Sequence, residues 1–222
     1  MIPRPVLAGV GVVAGVFVLA ASLSWSARQL ERELSEQAGW TETFFASPDF
    51  RDPPRLTRQT PVIDLSVIDE EPSLPRGSFS VRWEGYWNLT HDGPVDIYAG
   101  GDDELYLHVD EKRVLERTPA AGMGTIAERL TLPPGIHHIR VDYVQHAGEA
   151  YANVLWAPAG EEARAFSPRE VFPTEPDRQV LFTATLIATR ERVASVVWRI
   201  GLVMLAGLAI LPFALRRRNR AG

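Results

Sequence analysis

Cysteine is absent from all 222 residues, and with it go disulfides, thiolate metal sites, iron–sulfur clusters and cysteine nucleophiles. Acidic residues are missing from both ends, residues 1–25 and 193–222. Six of the 23 basic residues, Arg4, Arg199, Arg216, Arg217, Arg218 and Arg220, lie in those ends. The remaining 17 share the middle with all 28 acidic residues, a net charge of −11. So acidic a middle argues against nucleic acid as a partner. Glycine-rich phosphate loops, H-E-x-x-H, G-x-S-x-G and EF-hand spacing do not occur in the chain, and the sequence reads as non-enzymatic. The five histidines do not change that reading. His137 and His138 are neighbours in an alternating run and point to opposite faces, His91 and His146 sit in turn sequences, and His108 lies opposite the Leu105/Leu107 face.

Long apolar runs are present at both ends. Residues 6–25 carry no charge over a length that, at about 1.5 Å per residue, crosses a hydrocarbon layer of roughly 30 Å. A retained transmembrane helix and a cleaved signal peptide both fit this run, whose apolar stretch exceeds the usual ~7 to 15 residues of a signal. Residues 193–215 form a second apolar run, followed by the basic tail 216–222, which the positive-inside rule assigns to the cytoplasm. The short terminus 1–5 then lies on the same side, and the main domain lies in the periplasm or outside the cell. Arg199, about six residues into the second run, either snorkels to the interface or meets a salt-bridge or lipid contact in an assembly. Gly11 and Gly15 form a small-xxx-small pair that would let another helix approach closely.

Between these runs helical patterns occur only beside the membrane. Leu30 and Leu34 are four apart within a stalk spanning 26–38, which Gly39 should end, and 174–192 reads as a juxtamembrane helix. Prolines 48, 53, 54 and 61 predict irregular, extended chain from Trp40 to Pro61. A period of two then sets in. Strands are expected over 62–68, 79–87, 95–99, 105–109, 126–132, 136–144 and 151–156, separated by turn sequences such as Pro133-Pro134-Gly135. The predicted fold is mainly β: an antiparallel sandwich with barrel-like curvature, flanked by two transmembrane helices, with Trp83, Trp87, Leu107, Val109, Val141 and Trp156 in its core.

Phe79–Tyr86, the run Asp102-Asp103-Glu104-Leu105-Tyr106-Leu107-His108-Val109-Asp110, and Pro134–Tyr143 together resemble the 14-kDa protective-antigen domain family, the β-sandwich of anthrax protective antigen and yeast flocculin type. The resemblance covers 39–173. It implies a module usually interpreted as carbohydrate-binding, in whose lectin branch two adjacent aspartates hold a calcium ion that sugar hydroxyls also coordinate. Asp102 and Asp103 stand at those positions. On the calcium reading Gln145 would supply an amide oxygen as a third ligand, and Glu104, His146 and Glu149 are candidate loop contacts. The departures are specific: the loop Val144–Glu149 lacks the lectin branch's Asn and Trp, and Glu104 and Glu111 replace the usual glycines. Aspartate pairs also fix turns by accepting backbone N–H bonds, so calcium site and structural turn both stand as readings of Asp102-Asp103.

Two functions follow as expectations. The first is an accessory or scaffold subunit that presents the β-domain and stabilises a membrane assembly, with partner subunits and the bilayer as its contacts through Gly11, Gly15 and Arg199. The second is a membrane-anchored, calcium-dependent glycan-binding module.

Overall fold

In the computed structural model the described residues are 4–65, 68, 74, 77–119 and 124–218. They form two compact units, residues 1–33 with 178–222 and residues 34–177. The fold is mainly β, in antiparallel sheets, with two terminal helices long and apolar enough to cross a membrane.

The first unit pairs the long helices α1 (Arg4–Ser35) and α2 (Arg178–Arg218). Val13, Ala20 and Ala27 are buried on α1 and Ile187, Ala194 and Gly201 on α2, each set spaced by seven residues. A seven-residue repeat keeps one seam facing the partner as two helices wind together. Small residues at the seam bring the backbones close: a Cβ at Gly201 would lie 3.0 Å from the Phe17 ring, and one at Gly9 2.9 Å from Leu208. Phe17 packs on Trp198 with ring centroids 4.8 Å apart. The outward faces remain apolar, with Val18, Leu202 and Val203 more than half exposed.

The second unit begins where Gly39 turns the chain at φ +111°; its N–H donates to Val171 O at 2.8 Å, and a Cβ there would meet Thr60 O at 2.3 Å. The larger sheet follows the order β2 (Leu56–Thr60), β1 (Trp40–Phe45), β3 (Phe79–Leu89), β8 (Gly135–Gln145), β5 (Glu104–Val109), β6 (Lys112–Arg117), and the short β10 (Val171–Phe172) also pairs with β3. The smaller sheet is β7 (Thr125–Leu132), β4 (Gly93–Asp102), β9 (Tyr151–Pro158). Alternation decides which side chains face inward. Phe79, Val81, Trp83 and Trp87 of β3 and Ile139, Val141 and Tyr143 of β8 meet Val95, Ile97, Ala99, Val154 and Trp156 of the smaller sheet in one buried cluster. Trp87, Trp156 and Phe166 stack at its centre, with two of the three contacts edge to face.

Two expectations about strands are corrected. Residues 62–65 are irregular rather than strand, and 66 and 67 lie outside the described residues. The stretch predicted as irregular, Trp40 to Pro61, instead contains β1 and β2, antiparallel partners with Trp40 opposite Thr60 and Phe44 opposite Leu56. The charged run Lys112–Arg117, not predicted as a strand, forms β6 at a sheet edge.

Candidate functional site

The acidic tip of the sandwich is built where β4 ends, β5 begins and β8 gives way to its following loop. Asp102 and Asp103, joined by a cis peptide bond, stand at the crossover between the sheets, since β4 belongs to the smaller sheet and β5 to the larger. Asp103 Oδ2 accepts from the backbone N–H of His146 at 2.7 Å and of Ala147 at 3.3 Å, and so ties the loop after β8 to the crossover. Arg117, buried on β6, donates from Nη1 to Asp103 O at 2.8 Å. The side chain of Asp102 is exposed.

Gln145 is 1% exposed and fully used within the protein. The Tyr143 hydroxyl lies against both Gln145 Oε1 and Asp102 O. Gln145 Nε2 donates to Ala147 O and Glu149 O at 2.9 and 3.2 Å, which closes the loop from behind. The Gln145 amide oxygen therefore points to the tyrosine. Burial holds the Tyr143 phenol well above its ordinary range.

Glu104 sits on the exposed side of the same tip. It accepts the Tyr106 hydroxyl at 2.6 Å and His146 Nε2 at 2.9 Å. The Tyr106 bond, with a further contribution from His146, draws the Glu104 carboxyl below its usual range, and the same bond pushes the Tyr106 phenol up to about 12. The structure thus brings Asp102, Asp103, Glu104, Gln145 and His146 together. Glu149 contributes its backbone carbonyl, and its residue is exposed. Among the described residues no group of three or more His, Asp or Glu side chains is arranged to hold a metal ion. Sequence reading picked out these residues but not Tyr143, Tyr106 or Arg117, which fix them. The signal available was parity: Tyr106 falls on the same face as Glu104, and Tyr143 on the same inner face as Gln145, each pair two residues apart on one strand.

The other histidines are engaged elsewhere. His137 is buried, with Asp110 Oδ2 at 2.7 Å from Nδ1 and Pro133 O at 2.8 Å from Nε2, and His138, on the opposite face, contacts Glu111. Burial, with the Arg140 and Arg113 guanidinium groups on the neighbouring strands, lowers the basicity of His108.

In the helical unit Gly11 and Gly15 are exposed, with nothing within 4 Å of where a Cβ would stand; the glycines at the helix contact are Gly9 and Gly201. Arg199 is exposed on α2.

The PA14 domain family matches residues 36–167, more than half of the chain, and the chain belongs to that family. A curated relative is the anti-sigma-I factor RsgI3 of Acetivibrio thermocellus, 23% identical over 124 residues, which are 54% of this chain and 19% of that protein. Among solved structures the chain is similar to an anti-sigma factor domain-containing protein (TM-score 0.56, 21% identity, covering 63% of this chain and 50% of the other). It is also similar to one from Clostridium clariflavum (0.54, 20%, covering 64% and 49%) and to the PA14 sugar-binding domain of an RTX adhesin (0.51, 15%, covering 62% and 99%). The chain thus spans about a fifth of the curated relative and about half of the two anti-sigma structures. These findings correct the resemblance drawn above to a protective-antigen and flocculin type. The matching family is the PA14 domain, with bounds 36–167, and the relatives that accompany it are anti-sigma factor proteins.

Proposed function

We propose that this chain is a non-enzymatic membrane protein that presents its PA14 domain outside the cytoplasm as a recognition module, and that it acts as an accessory subunit of a membrane assembly. The observation that carries the reading is the self-satisfied tip. Gln145, Asp103 and Glu104 spend their hydrogen-bonding groups on Tyr143, the 146–147 backbone, Tyr106 and His146, which favours a preformed protein-facing surface over an ion cage. Two outward apolar helix faces support anchoring in a bilayer. The positive-inside rule places both termini in the cytoplasm. A relative named as an anti-sigma factor is by its name a partner of another protein, which agrees with a role exercised through protein contacts.

Purification of the full chain in mild detergent, with mass spectrometry of what accompanies it, tests this. A stoichiometric membrane-protein partner is expected, and it should be lost when residues 34–177 are deleted. A chain that purifies alone, or a partner indifferent to that deletion, overturns the accessory role.

A second reading, calcium-dependent glycan binding, is favoured by the exposed Asp102 carboxylate beside Asp103 and by the name of the adhesin relative, a sugar-binding domain. It predicts that millimolar calcium raises the melting temperature, since a ligand of the folded form stabilises it by RT ln(1 + [L]/Kd). The rise should vanish when Asp102→Asn and Asp103→Asn are combined. No rise in the unsubstituted protein removes this reading.

A further inference from the structure

We propose that Arg192, Ser195 and Arg199 on α2 form a binding site for the phosphate of a net-anionic phospholipid, in the leaflet at the Arg192 end of that helix. The inference goes beyond the accessory role and rests on the reading that the two helices span a membrane.

The positions come from the seam. Arg192 lies five residues after Ile187 and two before Ala194; Arg199 stands in the same relation to Ala194 and Gly201. At about 100° per residue, both arginines are roughly 140–160° away from the buried stripe. They project on the side of α2 opposite α1, one almost directly above the other, and Ser195 lies between them. All three are exposed, as are Val196 and Val203 on the same face. What covers this face in a bilayer is lipid.

Charge and depth then select which part of the lipid. Arg192 closes the polar side of the apolar run, and Arg199 is seven residues deeper, about 10 Å along the axis. Helical side chains lean toward the helix N-terminus, so the Arg199 guanidinium is directed back along α2 toward Arg192 and the interface. Neither apolar run, 6–25 nor 193–215, contains an Asp or Glu, and among the described residues no carboxylate pairs with Arg199. A guanidinium held below the interface needs an oxyanion, and planar forked donors suit a phosphodiester. Arg192 and Arg199 stacked on one face, the deeper of them with no carboxylate partner among the described residues, favour a headgroup of net negative charge over a zwitterionic one, whose own ammonium they would repel.

The test uses the full chain reconstituted into bilayers of equal phosphatidylglycerol and phosphatidylcholine, gently solubilised, with retained lipids counted by native mass spectrometry. The unsubstituted protein should retain phosphatidylglycerol in preference. Arg199→Gln and Arg192→Gln should each cut that preference about five-fold and together about 25-fold, as expected for roughly 1 kcal/mol per cation near the surface. Arg199→Lys should keep most of it. Substitution by glutamine removes a charge from an apolar helix and leaves insertion intact, so loss of lipid cannot be laid to failed folding. An unchanged preference in Arg199→Gln overturns the proposal. So does an Arg199→Gln protein that keeps its lipid but sheds a membrane-protein partner, which would assign the arginine to that partner's carboxylate. Failure of the unsubstituted chain to enter the bilayer would overturn the spanning reading itself, and the site with it.

Discussion

Glu104 and Tyr106 share one short hydrogen bond, and each changes the other's acidity. The Glu104 carboxyl is more acidic in the folded protein than the ordinary value of 4.5. The stability from this bond is therefore fully present at neutral pH, above the unfolded carboxyl's range, and is lost as pH falls through the lowered folded value. Glu104→Gln should accordingly reduce the loss of melting temperature between pH 7 and pH 3. The phenol offers a second readout. Ultraviolet titration should find one of the tyrosines ionising only near pH 12, and in Glu104→Gln that tyrosine should move back toward the ordinary range near 10. If the alkaline titration is the same in both proteins, the bond is not formed in solution. Gly39 is constrained differently, by backbone alone. Gly39→Ala places a Cβ against Thr60 O in a conformation that L-residues seldom adopt, and should cost about 1–3 kcal/mol or more in denaturant unfolding.

Strand β1 owes its place to a buried acid. Glu42 is 0% exposed and accepts from Arg58 of β2 on one side and from Trp83 Nε1 of β3, at 2.8 Å, on the other. Burial raises its carboxyl above the usual range, and the bonds from Arg58 and Trp83 offset only part of that. Trp83→Ala should cost about 3–5 kcal/mol through the cavity it leaves. Trp83→Phe, which keeps most of the volume but strands a buried oxygen, should cost about 1–3 kcal/mol. A Trp83→Phe cost within experimental error of zero would mean that the Glu42 contact contributes nothing. The same acid explains why β1 was hard to find. Its inward positions are Trp40, Glu42 and Phe44, and a carboxylate in the middle reads as a surface residue. β6 was hidden in the same way, because only Leu115 and Arg117 are buried along it and one of those two is a guanidinium, held on the carbonyls of Asp103 and Gly124. By contrast β3, β4, β5, β8 and β9 alternate with apolar inward residues and are legible directly. At the tip the acids themselves were visible in sequence, and Tyr143 shares a face with Gln145 by its spacing; that the Gln145 amide also closes the following loop on Ala147 O and Glu149 O depends on the path of that loop, which no spacing encodes. The helix pair shows the same limit. Gly11 and Gly15 have the spacing of a packing motif, yet the seam uses Val13, Ala20, Ala27 and Gly201. Gly201→Leu should overpack against Phe17 and destabilise the pair by about 1–3 kcal/mol in detergent, whereas Gly11→Leu, into open space, should leave it unchanged.

At the scale of the whole molecule the β-domain should stand without its helices. Its core is a single cluster running from Trp40 to Val171, closed on both sheets. Residues 34–177 expressed alone should give a β-rich spectrum and a cooperative unfolding transition; a molten or helical spectrum would show that the helices are needed to fold it. The two ends of this domain meet. Gly39 N–H is bonded to Val171 O, and β10 lies along β3 next to the end of β1, so the chain enters and leaves through the same stitch. A module whose entrance and exit coincide is portable: it can be spliced between two segments of almost any chain without pulling those segments apart, and removed again with as little disturbance. Set between two helices that pack side by side, it occupies what is topologically a loop of a helical hairpin.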